Sequence, residues 1–262
     1  MNNRMSTNFQ DLQKRGLLQI GTGCRISPYA IFESTDTRGT DSPIVIGDKC
    51  RVEAGAILYG GTKLDSEVVV EEYVIVGKSE YGYAVGKVYD GSGAETMIGR
   101  GVVLRSRCTI YGGTMVGINS TIGHGTLLRS YVQVGENSQI GQGLSVERDV
   151  KIGNFVRCSP LSHITSSVVL EDRVFLGAGI KTINDKLMIW KQDGIEPELT
   201  PPYFEYGARI GSGSTIGPGV RIGREALIGS GSNVTHDIPA FSIAYGNPAK
   251  IVGTINSQRL SR

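Results

Sequence analysis

The feature that most constrains this chain is an apolar residue that recurs every six positions over most of its length. The run from Ile98 to Thr182 contains fifteen such units without a slip, and shorter runs occupy residues 20–26, 46–76 and 210–234. A helix repeats its apolar residues every three to four positions and a half-buried strand alternates by two, so a period of six fits neither. It fits a short strand followed by a tight corner, with three units forming one triangular coil.

The other positions of the six-residue unit support the same interpretation. Four residues after each start comes a small or apolar residue, and glycine, which supplies 37 of the 262 residues, often follows the start directly. We therefore expect the first residue of each unit to point into the core and the fifth to fill space near a glycine-assisted corner. Cys24, Cys50 and Cys108 fall on the fifth position and Cys158 on the first, which predicts four unpaired core cysteines.

The six-residue repeat is interrupted twice, and a segment without the repeat precedes it at the N-terminus. We predict an N-terminal cap over residues 1–19, a β-helix over residues 20–252 with loop excursions at 77–97 and 183–207, and a tail at 253–262. The cap is expected because the open end of a β-helix exposes unpaired strand edges. Long loops within a regular fold often carry binding function, so both excursions are candidate binding segments.

Charge and hydropathy exclude several functional classes. The 27 basic and 25 acidic residues are interspersed and give a formal charge of +2, which does not favour a nucleic-acid partner or a polybasic membrane surface. No apolar run approaches the roughly 20 residues that a membrane span needs, and the first residues lack the apolar core of a signal peptide. We expect a cytoplasmic protein, without membrane insertion, that recognises a small ligand.

The repeated unit resembles that of the hexapeptide-repeat transferases. It consists of an aliphatic residue, glycine, two variable residues, a small residue and one further variable residue. That resemblance implies an all-β fold, a left-handed parallel β-helix of hexapeptide repeats with two long loop excursions and short terminal caps. The left hand comes from the resemblance alone, because parallel crossovers are usually right-handed.

The stretch LIGSGSNVTHDIPAFSIAYGNPAKIVG, residues 227–253, resembles the closing segment of acyl-CoA-dependent hexapeptide acyltransferases. In those relatives coenzyme A lies in a groove between neighbouring subunits of a homotrimer. The resemblance implies an acyl-CoA co-substrate, most simply acetyl-CoA, with no metal, and a homotrimer with its sites between subunits. The implied cofactor contacts are Gly229, Ser230, Gly231, Ser232 and Lys250. The first four would line the pantetheine, and Lys250 would lie near the phosphates.

The stretch LEDRVFLGAGIKTIND, residues 170–185, resembles the branch of the family that N-acylates nucleotide-linked amino sugars. That branch carries Thr-Asn-Asp at the entrance of the loop, where this chain has an additional Ile183. An amino-sugar nucleotide would therefore be the acceptor, and an aromatic side chain of the loop could stack on its base. Two outward arginines could meet a pyrophosphate. The predicted substrate contacts are Asn184, Asp185, Trp190, Arg105 and Arg129.

The stretch TIGHGT, residues 121–126, places His124 at the third position of its unit, where one branch of amino-sugar acetyltransferases carries a catalytic histidine. The position of His124 along the repeats argues against a catalytic role. When units are counted back from Ile228, with the Thr182 and Phe204 units treated as one interrupted unit, the family's catalytic unit falls on residues 158–163. Its third position is Pro160, which cannot transfer a proton.

His163 ends that unit and is the stronger candidate base, with Glu171 and Asp172 as residues that could orient it. His124 remains a second candidate, although it lies two coils earlier, about 10 Å away at one strand spacing per coil. A mechanism without a protein base also stays open.

The predicted function is N-acyl transfer from acyl-CoA to the amine of a nucleotide-linked amino sugar. The alternative is O-acetylation of a sugar or small hydroxyl acceptor, which the absence of a histidine between His163 and His236 disfavours because a hydroxyl depends more on a general base. A zinc enzyme of the carbonic anhydrase type is disfavoured because the three histidines of the chain lack ligand spacing. A noncatalytic scaffold stays possible on fold grounds.

Overall fold

The computed structural model describes residues 5–35, 40–81, 94–188 and 198–255. The chain divides into two compact units, residues 1–138 and 139–262. Regular structure in the described residues consists of one helix and many short β-strands. In this part of the chain, no helix has both the length and the apolar character that crossing a bilayer requires.

The first unit contains the helix and sixteen strands. These are α1 (Met5–Lys14), β1 (Leu18–Ile20), β2 (Arg25–Ile26), β3 (Ile31–Glu33), β4 (Ile44–Ile46), β5 (Arg51–Val52), β6 (Ile57–Tyr59), β7 (Thr62–Leu64), β8 (Val69–Val70), β9 (Ile75–Lys78), β10 (Thr96–Ile98), β11 (Val103–Leu104), β12 (Thr109–Tyr111), β13 (Met115–Val116), β14 (Thr121–Ile122), β15 (Leu127–Leu128) and β16 (Gln133–Val134).

The second unit contains sixteen further strands. These are β17 (Gln139–Ile140), β18 (Ser145–Val146), β19 (Lys151–Ile152), β20 (Arg157–Cys158), β21 (His163–Ile164), β22 (Val169–Leu170), β23 (Phe175–Leu176), β24 (Lys181–Thr182), β25 (Tyr203–Phe204), β26 (Arg209–Ile210), β27 (Thr215–Ile216), β28 (Arg221–Ile222), β29 (Leu227–Ile228), β30 (Asn233–Val234), β31 (Ser242–Gly246) and β32 (Ala249–Thr254).

Within each unit, up to β30, each strand pairs in parallel with the strand three places along the chain, so each unit is made of three sheets. β31 then pairs with β29 in parallel, and β32 pairs with β31 antiparallel. In the first unit the strand orders are β1-β4-β7-β10-β13-β16 (sheet A1), β2-β5-β8-β11-β14 (B1) and β3-β6-β9-β12-β15 (C1). In the second they are β19-β22-β25-β28 (A2), β17-β20-β23-β26-β29-β31-β32 (B2) and β18-β21-β24-β27-β30 (C2). Val103 pairs with Thr121, and Gln139 with Arg157, so one coil contains 18 residues, or three six-residue units.

Burial follows the six-residue frame. The first residue of a unit, such as Ile98, and the fifth, such as Val102, are both buried. Small hydroxyl residues at the fifth position bond to the main chain of the next coil, as Ser120 Oγ does to the Gly135 carbonyl at 2.7 Å. The predicted fold class, an all-β, left-handed parallel β-helix of hexapeptide repeats, is confirmed.

The cysteines occupy the predicted positions as free thiols. Cys50, Cys108 and Cys158 are buried, and Cys24 is half-buried with its Sγ 3.0 Å from the Gly47 carbonyl. Desolvation raises the pKa of Cys108 and Cys158 to about 12 and that of Cys50 to about 11. At neutral pH these three side chains therefore stay protonated and behave as small apolar groups.

Glycine has two separate roles in the repeat, and the sequence suggested only one of them. The fourth position forms the corner in the left-handed conformation, as at Gly101 with φ 68°. The glycine that follows the start is needed for a different reason. A Cβ at Gly177 would lie 2.5 Å from the Ser212 nitrogen, so the close approach of the next coil excludes a side chain there.

The helix α1 covers part of the first coil. Leu12 is buried, and the Phe9 ring meets the Phe32 ring edge-on with centroids 5.8 Å apart. Apolar contacts therefore hold the helix against the first coil.

Candidate active site

The second unit contains a histidine held by a glutamate. His163 lies at the outward position of β21 in sheet C2, and its Nε2 is 3.2 Å from Oε1 of Glu147, which follows β18. The second carboxylate oxygen of Glu147 accepts hydrogen bonds from the Ser166 N–H at 3.1 Å and from Thr165 Oγ1 at 3.5 Å. The main chain therefore fixes the glutamate, and the glutamate fixes the imidazole.

This arrangement can accept a proton at the other ring nitrogen. An ionised carboxylate is only an acceptor, so the bond to Glu147 assigns the hydrogen to Nε2 and leaves the lone pair on Nδ1. The side chain of His163 is 45% exposed, so an acceptor molecule can reach it. A histidine with an oriented ring, an available lone pair and a carboxylate behind it has the features of a general base.

The second loop begins beside this pair. Asn184 Nδ2 donates to Ser166 Oγ at 2.8 Å, and the Asn184 carbonyl accepts from the Thr200 N–H at 2.7 Å. Asp185 Oδ1 accepts from the main-chain N–H groups of Leu187 and Met188, each at 2.9 Å. The structure thus brings Asn184 to Ser166, the same residue whose N–H holds Glu147. The predicted base-stacking residue, Trp190, lies outside the described residues.

The unit count used on the sequence was wrong at this loop. Thr182 ends β24 in sheet C2, whereas Phe204 ends β25 in sheet A2, so the loop separates two units that lie on two different sheets. Counting them separately moves the unit reached by counting back from Ile228 from residues 158–163 to residues 164–169. Its third position is then Ser166 instead of Pro160, and His163 precedes this unit instead of ending it. The contact with Glu147 is what retains His163 as the candidate base.

The predicted orienting residues were also wrong. Glu171 accepts hydrogen bonds from the Tyr203 hydroxyl at 2.6 Å and the Tyr206 N–H at 2.7 Å, while Asp172 accepts from the Asn154 N–H at 2.7 Å. Both carboxylates therefore brace neighbouring coils. Sequence reasoning missed Glu147, although an 18-residue coil places a residue 16 positions before His163 on the adjacent coil.

His124 lies in the first unit in a different environment. Its Nδ1 is 4.0 Å from Glu71 Oε2, and its side chain is 58% exposed. Glu71 already accepts from Arg105 Nη1 at 2.6 Å and from the N–H and Oγ of Ser106 at 2.9 and 3.1 Å. Burial raises the pKa of Glu71, but the bonds from Arg105 and Ser106 outweigh it and hold the pKa below its ordinary value. Arg105, a predicted pyrophosphate contact, is thus ion-paired within the protein.

The expectation of an outward Arg129 is corrected. Its side chain is 16% exposed, and its Nε donates to Glu80 Oε1 at 2.5 Å. Glu80 is itself buried, and its Oε2 accepts from the Ser130 N–H at 3.1 Å. This ion pair anchors the start of the first loop and leaves the guanidinium poorly placed for a pyrophosphate.

The predicted cofactor residues lie in the second unit and separate into two groups. Gly229 and Ser230 line an open groove of about 340 Å³ beside β29, and Gly231 is an exposed left-handed corner with φ 71°. Lys250 is exposed on β32. Ser232 is buried and its Oγ donates to the Gly229 carbonyl at 2.6 Å, so only its main chain could contact a bound cofactor.

Within the described ranges, no three His, Cys, Asp or Glu side chains are arranged to hold a metal ion.

The repeat is also matched by a known family. The family model for the hexapeptide repeat of succinyl-transferase matches residues 39–60 and 205–236. Over these two segments the chain is similar to the hexapeptide-repeat proteins. This agrees with the 18-residue coils, the three parallel sheets of each unit and the buried first and fifth positions.

Two curated relatives are similar over short segments. The chain is 53% identical over 49 residues to dTDP-3-amino-3,6-dideoxy-alpha-D-galactopyranose 3-N-acetyltransferase of Aneurinibacillus thermoaerophilus, covering 19% of this chain and 26% of that protein. It is 44% identical over 54 residues to galactoside O-acetyltransferase of Lactococcus lactis, covering 21% of this chain and 26% of that protein. The chain thus spans about a quarter of the length of these two relatives.

Among solved structures, the chain resembles a hexapeptide-repeat acetyltransferase of Vibrio cholerae complexed with acetyl coenzyme A. Sequence identity is 19%, the match covers 52% of this chain and 70% of that chain, and the TM-score is 0.39.

Proposed function

We propose that this protein transfers an acyl group, most simply acetyl, from acyl-CoA to the amine of a nucleotide-linked amino sugar. The observation that carries the proposal is the exposed His163 with its Nε2 held by Glu147, beside the loop that begins at Asn184. The match to a dTDP-amino-sugar N-acetyltransferase supports the amine acceptor.

The reaction uses the geometry of the pair directly. The amine nitrogen attacks the thioester carbonyl carbon, the carbon–sulfur bond breaks, and coenzyme A leaves as its thiolate. His163 Nδ1 takes the proton that the nitrogen loses, a role typically worth about 10²–10⁴ in rate. Glu147 stabilises the imidazolium that forms and keeps the ring in place. Backbone N–H groups would hold the oxygen of the tetrahedral intermediate.

The acyl donor would occupy the groove beside β29, with Gly229, Ser230 and Gly231 against the pantetheine and Lys250 near the phosphates. The proposal includes a homotrimer with sites between subunits, as the family resemblance implies, and a cytoplasmic location. Asn184 and Asp185 would contact the sugar nucleotide. His124 remains a secondary candidate base.

A second candidate function is O-acetylation of a sugar hydroxyl. The observation that favours it is the same His163–Glu147 pair, because a hydroxyl needs a general base more than an amine does. The short match to a galactoside O-acetyltransferase points the same way.

The two functions are separated by a thiol-release assay with acetyl-CoA. Each of a panel of dTDP- and UDP-linked amino sugars is paired with its hydroxy analogue, and wild type is compared with His163→Ala and His124→Ala. We expect thiol release with amino sugars only, and its loss in His163→Ala. Thiol release with the hydroxy analogues would establish the second function. The absence of thiol release with every acceptor would contradict both functions.

A further inference from the structure

The first unit contains an open groove that does not include the leading candidate base, His163. Its volume is about 480 Å³, and it lies along the edge where sheet B1 turns into sheet C1. Tyr73, Arg107 and Gly125 are the corner residues that follow β8, β11 and β14, so the groove extends over three successive coils. The remaining lining residues are Glu72, Ser106 and His124.

Tyr73 presents an exposed ring to the groove. It occupies the left-handed corner with φ 59°, a conformation that the fourth position of the repeat also imposes on Arg107, Tyr131 and Phe155, so the conformation belongs to the repeat. One part of the ring lies against Gly55, where a Cβ would be 2.6 Å from the Tyr73 Cδ1. Even so, 62% of the residue is exposed. An exposed aromatic ring on the wall of a groove offers a face on which a ligand can stack.

The polar groups around the ring are mixed in character. Ser106 Oγ lies 3.2 Å from Glu72 Oε2, and the Arg107 N–H donates to the Glu72 carbonyl at 3.0 Å. Glu72, Arg107 and His124 are exposed, which leaves an acceptor and two nitrogen-bearing side chains on the rim of the groove. Glu71 beside them is matched by Arg105. Two carboxylates next to two guanidinium groups do not favour a phosphate or another anion.

We infer that this groove binds the ring of a neutral sugar. The apolar face of a pyranose would stack on Tyr73, while its hydroxyl groups, which both donate and accept, would bond to Glu72, Arg107 and His124. The inference does not rest on the proposed function, because the groove lies in the first unit and needs no acyl donor. It gives His124 a sugar-binding role.

Saturation-transfer NMR on the full-length protein, without acyl-CoA, tests the inference. The probes are glucose, galactose, N-acetylglucosamine and maltotriose, with UDP as the anionic comparator. The main variant is Tyr73→Gly, which removes the ring and suits the left-handed corner, so it keeps the fold. Tyr73→Phe keeps the ring, and Tyr29→Ala removes an exposed tyrosine outside the groove. His163→Ala tests whether the sugar binds instead at the candidate active site of the second unit.

We expect at least one neutral sugar to bind to wild type, Tyr73→Phe, Tyr29→Ala and His163→Ala, with affinity lowered by at least about fivefold in Tyr73→Gly. Glu72→Gln should weaken binding as well, because it replaces a charged acceptor. Undiminished sugar binding in Tyr73→Gly would overturn the inference. So would the absence of binding by all four neutral sugars, or a Tyr73-dependent signal from UDP alone.

Discussion

His163 and His124 differ in how closely a glutamate oxygen approaches the imidazole ring. In the second unit, Glu147 directs one carboxylate oxygen at His163 and has the other held by the Ser166 N–H. In the first unit, Glu71 is bound by Arg105 and Ser106, and its nearest oxygen stays 4.0 Å from His124. The difference teaches that a glutamate orients a neighbouring histidine when one of its oxygens lies within hydrogen-bond distance of the ring, as at 3.2 Å for His163 but not at 4.0 Å for His124.

The largest effect on kcat is expected from substitution of the histidines. We expect His163→Ala to lower kcat by about 10²–10⁴, because the imidazole removes the proton of the acceptor. His124→Ala serves as the matched variant and should change kcat by less than about threefold. Thiol release from acetyl-CoA measures both. Equal losses in the two variants would end the distinction between the sites.

The next effect concerns the glutamates. Glu147→Gln keeps the shape of the side chain but removes the charge that stabilises the imidazolium, so we expect kcat to fall about ten- to a hundredfold. Glu71→Gln is the matched control and should leave kcat within about twofold of wild type. The Michaelis constant of the acceptor should change little in either variant. A Glu147→Gln enzyme with unchanged kcat would show that Glu147 does not position the base.

A smaller effect is expected at Ser166. Ser166→Ala keeps the main-chain N–H that holds Glu147 but removes the acceptor for Asn184 Nδ2. A typical hydrogen bond contributes about 1 kcal/mol, so we expect a roughly fivefold higher Michaelis constant for the sugar nucleotide. The value of kcat should stay close to that of wild type. A loss in kcat as large as that of Glu147→Gln would show that the hydroxyl also acts on the base.

The smallest effect is on stability and concerns the Arg105–Glu71 pair. The depressed pKa of Glu71 stabilises the fold above the pKa of the unfolded state, and this contribution is lost as pH falls through the folded value. Arg105→Gln should reduce the free energy of unfolding at pH 7 by less than about 1 kcal/mol, because the guanidinium is 45% exposed. Denaturant unfolding at pH 7 and pH 3 measures this. A deficit that grows on acidification would contradict the assignment.

The fold was predictable because the six-residue period reports directly on burial. Stepping by six from Ile98 identifies residues that the structure buries, and β24 ends at Thr182, where the frame is interrupted. The fold class needed no side-chain detail, since the coil length alone sets which strands pair.

The site was less predictable because it depends on contacts between coils. His163 was chosen because it ended the unit that the count selected, and the loop concealed a one-unit error in that count. Its partner Glu147 was missed. The sequence also could not show that Arg129 is covered by Glu80. Spacing shows at which corner and on which coil a residue lies, whereas ion pairs decide which side chains can contact a ligand.

The most direct test of a catalytic His163 is a crystal structure of the protein with coenzyme A and the amino-sugar nucleotide that supports thiol release. We expect the acceptor nitrogen within about 3.2 Å of His163 Nδ1, with Nε2 still bonded to Glu147. An acceptor nitrogen within hydrogen-bond reach of His124, or one that contacts neither histidine, would contradict the account.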